Sequence, residues 1–243
     1  MLELIVGLGS TVFWVWMVLD CVRNEPDRHI WIWVLVLFNI LGAIAYFLFQ
    51  VIPRGDYLPQ YFQRWTRKRE LWIAENEARS IGKTYQYNHL GNILMELGMY
   101  EQAQTAFEQA LNQESDNTNA LWGAAKVAIA QKKYPQAQVL LEKLLKLDPD
   151  YKYGDGSLAY GEVLIALKQT QTAQKHLEKH IKNWSHPQGY LLLADILLQA
   201  NNKQAARECL ETMITRIQGS SYFHYKRNRP FLSKARKMLK KLS

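Results

Sequence analysis

The chain has 243 residues, 48% of them hydrophobic, with 30 Lys and Arg against 22 Asp and Glu, for a net charge of +8. Its two cysteines, Cys21 and Cys209, stand far apart with no metal-type spacing, which excludes a disulfide framework and fits a reducing compartment. The charge is uneven: residues 1–53 hold two basic and four acidic residues, and residues 54–243 hold the other 28 basic and 18 acidic ones. A basic body permits anionic partners (lipid headgroups, nucleic acid, acidic proteins) without choosing among them.

Residues 4–19 form an uncharged run of 16 between Glu3 and Asp20, and residues 30–52 form a second run of 23. A membrane-spanning helix takes about 20 residues, so residues 1–53 are predicted to be a two-span hairpin. A cleaved signal peptide would want a positive start and a small-residue cleavage site; the chain reads Met1-Leu2-Glu3-Leu4, and residues 20–23 are Asp-Cys-Val-Arg. The nine residues 21–29, with Pro26, four charged residues and His29, suit a turn outside the bilayer. The flank after the second run carries Arg54, Arg64, Arg67, Lys68 and Arg69. Positive flanks stay cytoplasmic, so both termini are expected on the inner side of a bacterial-type inner membrane, with Trp14, Trp16, Trp31 and Trp33 in the outer half. The second run holds Asn39-x-x-Gly42-x-x-x-Tyr46 behind a Trp-led apolar start. In this it resembles the N-terminal membrane hairpin of phospholipase D-type cardiolipin synthases, with Asn39 where that module typically has Pro. Gly42 is expected to let the first helix approach closely, and Asn39 to hydrogen-bond across the pair.

Residues 54–83 read as a juxtamembrane linker and capping helix. Phe62, Trp65 and Trp72 fall near one helical side, and Arg64, Arg67 and Lys68 spread over the other. Such a helix lies well on an anionic bilayer surface or caps a solenoid. Basic–aromatic segments also bind nucleic acid, a reading disfavoured by the hairpin next door.

A 34-residue period begins at Thr84. In the first unit, 84–117, Tyr87, Leu90, Gly91, Gly98, Tyr100, Ala103, Phe107 and Ala110 occupy positions 4, 7, 8, 15, 17, 20, 24 and 27. The second unit, 118–151, places Leu121, Ala125, Tyr134, Ala137, Leu141 and Pro149 at 4, 8, 17, 20, 24 and 32. After two extra residues a third, 154–187, has Gly161, Ala173 and Leu177 at 8, 20 and 24, with departures at Ser157 (position 4) and His180 (position 27). The fourth, 187–220, has Tyr190, Leu193, Ala194, Ala206 and Leu210 at 4, 7, 8, 20 and 24. These units resemble tetratricopeptide repeats. Small residues at 8 and 20 let the two helices of a unit touch, and large ones fill the space between units. The fold expected is therefore all-α: a transmembrane hairpin, then a solenoid of about four helix pairs over 84–220, with capping helices. Residues 221–243 supply the rear cap, with an apolar stripe of Phe231, Ala235, Met238, Leu239 and Leu242 and a basic face.

The resemblance implies that positions 2, 5, 9 and 12 line a concave groove. These are Tyr85, Asn88, Asn92 and Met95; Asn119, Trp122, Lys126 and Ile129; Asp155, Leu158, Glu162 and Ile165; and Gln188, Leu191, Asp195 and Leu198. Trp122 is the expected anchor. The carboxylate-gripping residues of chaperone-binding relatives are absent: Asp155 and Ala159 stand where two cations would be needed. Membrane-surface contact is expected from Arg64, Trp65, Arg67, Lys68, Arg69, Lys234, Arg236, Lys237, Lys240 and Lys241. Phospholipase D chemistry needs H-x-K followed by four residues and Asp; after His180-Ile181-Lys182 that place holds Pro187, and after His224-Tyr225-Lys226 it holds Phe231. Nucleotide-loop, serine-hydrolase and zinc-protease patterns do not occur in the sequence. The reading is thus a noncatalytic, cofactor-free, metal-free adaptor with a protein partner. The alternative is an anionic-lipid-associated regulator or accessory protein of phospholipid metabolism.

Overall fold

The computed structural model describes residues 2–24, 28–51 and 67–242, and their regular elements are helices. Two compact units divide between Arg69 and Glu70.

The first unit contains α1 (Leu2–Asn24) and α2 (Arg28–Tyr46), which runs on into a π-helical turn, Phe47–Val51. Its small interior holds Met17, Cys21, Leu35, Ala43, Tyr46 and Val51, while Trp16, Trp33, Leu37, Phe38, Leu41 and Phe49 are exposed. By length and composition, one helical stretch among the described residues suits a membrane crossing: His29–Val51, with mean hydropathy 2.4. That stretch is not one straight rod. Asn39 (φ 47°, ψ −119°) breaks it, and the chain folds back so far that the Trp31 and Tyr46 rings meet at 5.5 Å. Fifteen residues of straight helix would hold them about 22 Å apart. Two expectations change as a result. A side chain at Gly42 would strike the Val34 carbonyl of its own segment, so this glycine accommodates the fold-back and not the first helix. Polar contacts between α1 and α2 include Tyr46 Oη, donating to Asp20 Oδ2 at 2.9 Å, and Trp14 Nε1, donating to the Leu35 carbonyl at 2.9 Å. The Asn39 side chain is exposed.

The second unit is a row of antiparallel helix pairs. A leading helix, α3 (Lys68–Ser80), precedes α4 (Thr84–Glu96) and α5 (Tyr100–Gln113), then α6 (Thr118–Ala130) and α7 (Tyr134–Leu147). A short 3₁₀ turn, Tyr151–Gly154, leads to α8 (Asp155–Ala166) and α9 (Thr170–Asn183), followed by α10 (Pro187–Gln199) and α11 (Lys203–Gln218), and α12 (Tyr222–Lys240) closes the row. The period of the sequence explains the packing. Position 20 is Ala103, Ala137, Ala173 and Ala206, and position 24 is Phe107, Leu141, Leu177 and Leu210, all fully buried. The Phe107 ring lies between Gly91 and Gly123, and a Cβ at Gly91 would come within 2.8 Å of it. Position 15 reverses the chain in every pair: Gly98, Lys132, Lys168 and Asn201 all take left-handed φ between 59° and 70°. The residue after each one returns its N–H to the carbonyl five residues before it, from Met99 to Leu94 through to Asn202 to Leu197, at 2.8–2.9 Å. These bonds satisfy the last carbonyls of the first helix. At the rear, Leu232 and Ala235 of α12 are buried against the final pair. Pro230 lies within the continuous α12, between that packed half and an exposed start bearing Tyr222 and Phe223.

Candidate partner-binding surface

The first helices of the pairs carry the expected groove positions, and their exposure separates candidates from core. Tyr85, Asn119, Asp155, Glu162, Gln188 and Asp195 are exposed, and Asn92, Met95, Trp122, Lys126, Leu158, Ile129, Ile165 and Leu198 are half-buried. Two are not surface residues. Leu191 is 3% exposed. Asn88 is 8% exposed, and its Nδ2 donates at 3.0 Å to Asn117 Oδ1, the same oxygen that caps α6 through the Ala120 N–H. Asn88 therefore joins the first unit to the second, and its reading as a groove contact is corrected.

Around Trp122 the side chains form one cluster. The indole lies 5.8 Å from the Tyr151 ring, and Lys126 Nζ sits 5.6 Å over the indole. Tyr151 Oη donates to Asn119 Oδ1 at 2.8 Å, and Lys152 Nζ sits 5.7 Å over the Tyr151 ring. The cluster is an aromatic floor under two cations, in which the half-buried Trp122 indole is the accessible part and the Tyr151 ring, 6% exposed, belongs to the core. Burial holds the Lys126 ammonium below the ordinary lysine range; the neighbouring charge of Lys152 adds to this and Glu96 opposes it. The surrounding helices raise the Glu162 carboxyl by partial desolvation although its side chain is exposed.

Tyr151 and Lys152 were missing from the expected groove: Tyr151 closes the second unit at position 34, which is not a groove position, and Lys152 opens the insertion, to which the 34-residue frame assigns none. The insertion leaves Lys152 (φ 48°) and Tyr153 (φ 56°) in the left-handed region, followed by Gly154 at φ 95°. Two consecutive non-glycine residues there are rare and cost roughly 1–2 kcal/mol each. Gly154 backs the turn against the Trp184 indole, where a Cβ would come within 2.6 Å. Such a turn has no signal in the residue types of Lys152 and Tyr153.

The two departures of the third unit meet each other. His180 Nδ1 lies 3.0 Å from Ser157 Oγ, and His180 Nε2 lies 3.3 Å from His186 Nδ1. His176 Nε2 is 2.8 Å from the Ser157 carbonyl oxygen and 3.0 Å from its Oγ, and His186 Nε2 is 3.9 Å from Asp155 Oδ1. One tautomer set satisfies these contacts: Ser157 donates to His180, His180 donates to His186, and His176 donates to the Ser157 carbonyl. His180 is fully buried. Burial, with His186 and His176 beside it, pushes its imidazole down to about 4. The network borders a cavity of about 340 Å³ that Trp184, Tyr160 and Lys179 also line. Among the described residues no group of His, Cys, Asp and Glu is arranged to hold a metal ion.

Of the expected membrane-surface residues, Lys68, Arg69, Lys234, Arg236, Lys237, Lys240 and Lys241 are exposed and Arg67 is half-buried. Arg64 and Trp65 lie outside the described residues.

Residues 94–159, 128–183 and 187–217 match models of the tetratricopeptide repeat, and residues 12–50 match the phospholipase D-nuclease N-terminal family. No curated protein sequence is a match. Among solved structures, MamA (residues 41 to the end) from Desulfovibrio magneticus RS-1 is similar at 18% identity and TM-score 0.58, over 65% of this chain and 91% of that one. YrrB, described as a TPR protein with an unusual peptide-binding site, is similar at 21% identity and TM-score 0.53, over 69% of this chain and 89% of its own. PilF of Pseudomonas aeruginosa gives 18% identity and TM-score 0.56, over 75% and 86%. At these identities the likeness concerns the fold.

Proposed function

We propose that this chain, which carries tetratricopeptide repeats behind a phospholipase D-nuclease N-terminal segment, is a membrane-anchored noncatalytic adaptor that holds a partner protein in the concave face of its repeats. The observation that carries the reading is the cluster of Trp122, Tyr151, Asn119, Lys126 and Lys152. It joins an aromatic floor to hydrogen-bonding and charged groups, the composition typical of an interface anchor. Trp122→Ala should weaken partner capture by on the order of 2 kcal/mol, about thirtyfold, while the repeats stay folded. Replacing Lys234, Arg236, Lys237, Lys240 and Lys241 by Gln should spare that capture. The opposite pattern would make α12 the recognition element.

Anchoring is supported by the apolar side chains that α1 and α2 leave exposed, a surface suited to lipid and not to water. Water can satisfy the backbone groups opened at Asn39, and hydrocarbon cannot. A bilayer therefore favours the straight form of residues 30–52, about 34 Å long and sufficient to cross. The basic flank at 64–69 then places the repeats on the cytoplasmic side of a bacterial-type inner membrane.

A second reading, an anionic-lipid-associated regulator, is favoured by one feature: α12 exposes Tyr222 and Phe223 beside its basic face, a combination suited to a lipid surface. Purification in detergent separates the two readings. A stoichiometric protein partner supports the adaptor, and tightly retained cardiolipin or phosphatidylglycerol supports the regulator.

A further inference from the structure

We infer that the partner segment in the groove presents an acidic side chain to Lys126 and Lys152 above the rings of Trp122 and Tyr151. This rests on the adaptor reading and specifies the chemistry of the occupant. The two ammonium groups lie over neighbouring rings, 5.6 Å above Trp122 and 5.7 Å above Tyr151, and the rings themselves are 5.8 Å apart. Each cation is thus held by a ring face, and the two repel each other. Among the described residues neither forms an ion pair with a carboxylate.

The second cation is present because of the insertion. Without Lys152 and Tyr153 the second and third units would join directly, as the first and second do. The inserted pair takes strained left-handed geometry, and that geometry carries Lys152 to the ring of Tyr151. Strain of this kind persists where the surroundings over-determine it, often at ligand clamps. A carboxylate between the two ammonium groups relieves their repulsion and makes charge-assisted hydrogen bonds to both. Its methylene carbons can cover the aromatic floor. A neutral or basic segment laid over the half-buried Lys126 would desolvate it further and bring it no carboxylate, which is costly. Asn119, tied to Tyr151 Oη at 2.8 Å, lies beside the same floor and is placed to bond the backbone of an extended segment.

The test uses the full chain in detergent and a displayed library of random nine-residue peptides. Recovered peptides are synthesised with a fluorophore and titrated against wild type, Trp122→Ala, and the double variant Lys126→Gln/Lys152→Gln. Thermal melts of each variant check the fold. The expected peptides carry Glu or Asp, and exchanging that acid for its amide weakens binding on the order of tenfold. The lysine double variant should lose a similar factor, with no further loss when both changes are combined. Lys126→Arg/Lys152→Arg should retain binding. Peptides that depend on Trp122 but carry no acid, or that ignore the lysine double variant, overturn the acidic occupant and leave the groove reading standing. A library with no binders, or binders indifferent to Trp122→Ala, overturns the groove reading and the acidic occupant with it.

Discussion

At the scale of single residues, His180 shows how a departure from a repeat pattern acquires a physical meaning. Position 27 holds Ala110, Leu144 and Met213 in the other three units, and all four side chains at this position are buried. The imidazole is tolerated because Ser157, the other departure, accepts it as a partner, and because a Cβ at Gly189 would come within 2.8 Å of the ring. The two residues are 23 apart, so the sequence displayed them as unrelated exceptions and their pairing became visible only in three dimensions. The pair has a cost in acid. In the native chain His180 stays neutral down to about 4, whereas an unfolded imidazole takes up its proton near 6.5. Between those values the unfolded state binds more protons, so stability is present above about pH 6.5 and is lost as pH falls toward 4. The loss is on the order of 3 kcal/mol. Urea melts of the full chain in detergent across this interval should show the slope, and Ser157→Leu/His180→Ala should flatten it. Equal slopes in both proteins would remove His180 as the cause.

Among the elements, the repeat helices and the apolar stretch of the second run were legible, and the break at Asn39 was not. Small residues at 8 and 20 with large ones at 4 and 24 leave an imprint that survives low overall identity, because each is fixed by contact between backbones. Phe107 between Gly91 and Gly123 is such a contact. Gly91→Leu should overfill it and lower the melting temperature well beyond a surface control such as Glu108→Gln, with a penalty of roughly 1–3 kcal/mol or more. Similar melting of the two variants would mean that the helices of the first unit do not meet at this glycine. Asn39 illustrates the opposite case. Residues 30–52 contain no proline and no charge, so nothing in them marked a reversal of direction at Asn39. The proposed straight form in a bilayer would put Leu2 and the repeats on the same side. Labelling a cysteine introduced as Leu2→Cys with a membrane-impermeant thiol reagent decides this. Protection in intact cells with labelling after permeabilisation is the expected result. Labelling in intact cells would show that the second run stays folded back and only α1 crosses.

For the molecule as a whole, the groove was legible as a surface and not as a site. Periodicity assigned its residues, Trp122 and Lys126 among them, to one face of the first helices, and most of them are exposed or half-buried. It also assigned Asn88, which the structure uses to join two units. It passed over Tyr151, which stands at position 34 of the second unit, and Lys152, because an insertion lies outside any periodic frame and left-handed backbone at Lys152 and Tyr153 has no compositional mark. On the proposed reading the exposed apolar helices serve as the anchor and the repeats present a chemically distinctive face. Its central claim is that this face holds a protein. The most direct measurement is site-specific photo-crosslinking in cells, with a photoreactive phenylalanine derivative in place of Glu162 on the concave side or Glu208 on a second helix. The prediction is a discrete protein adduct from position 162, absent from position 208 and abolished by Trp122→Ala. Adducts from position 208 alone, or adducts at 162 that persist with Trp122→Ala, would contradict it.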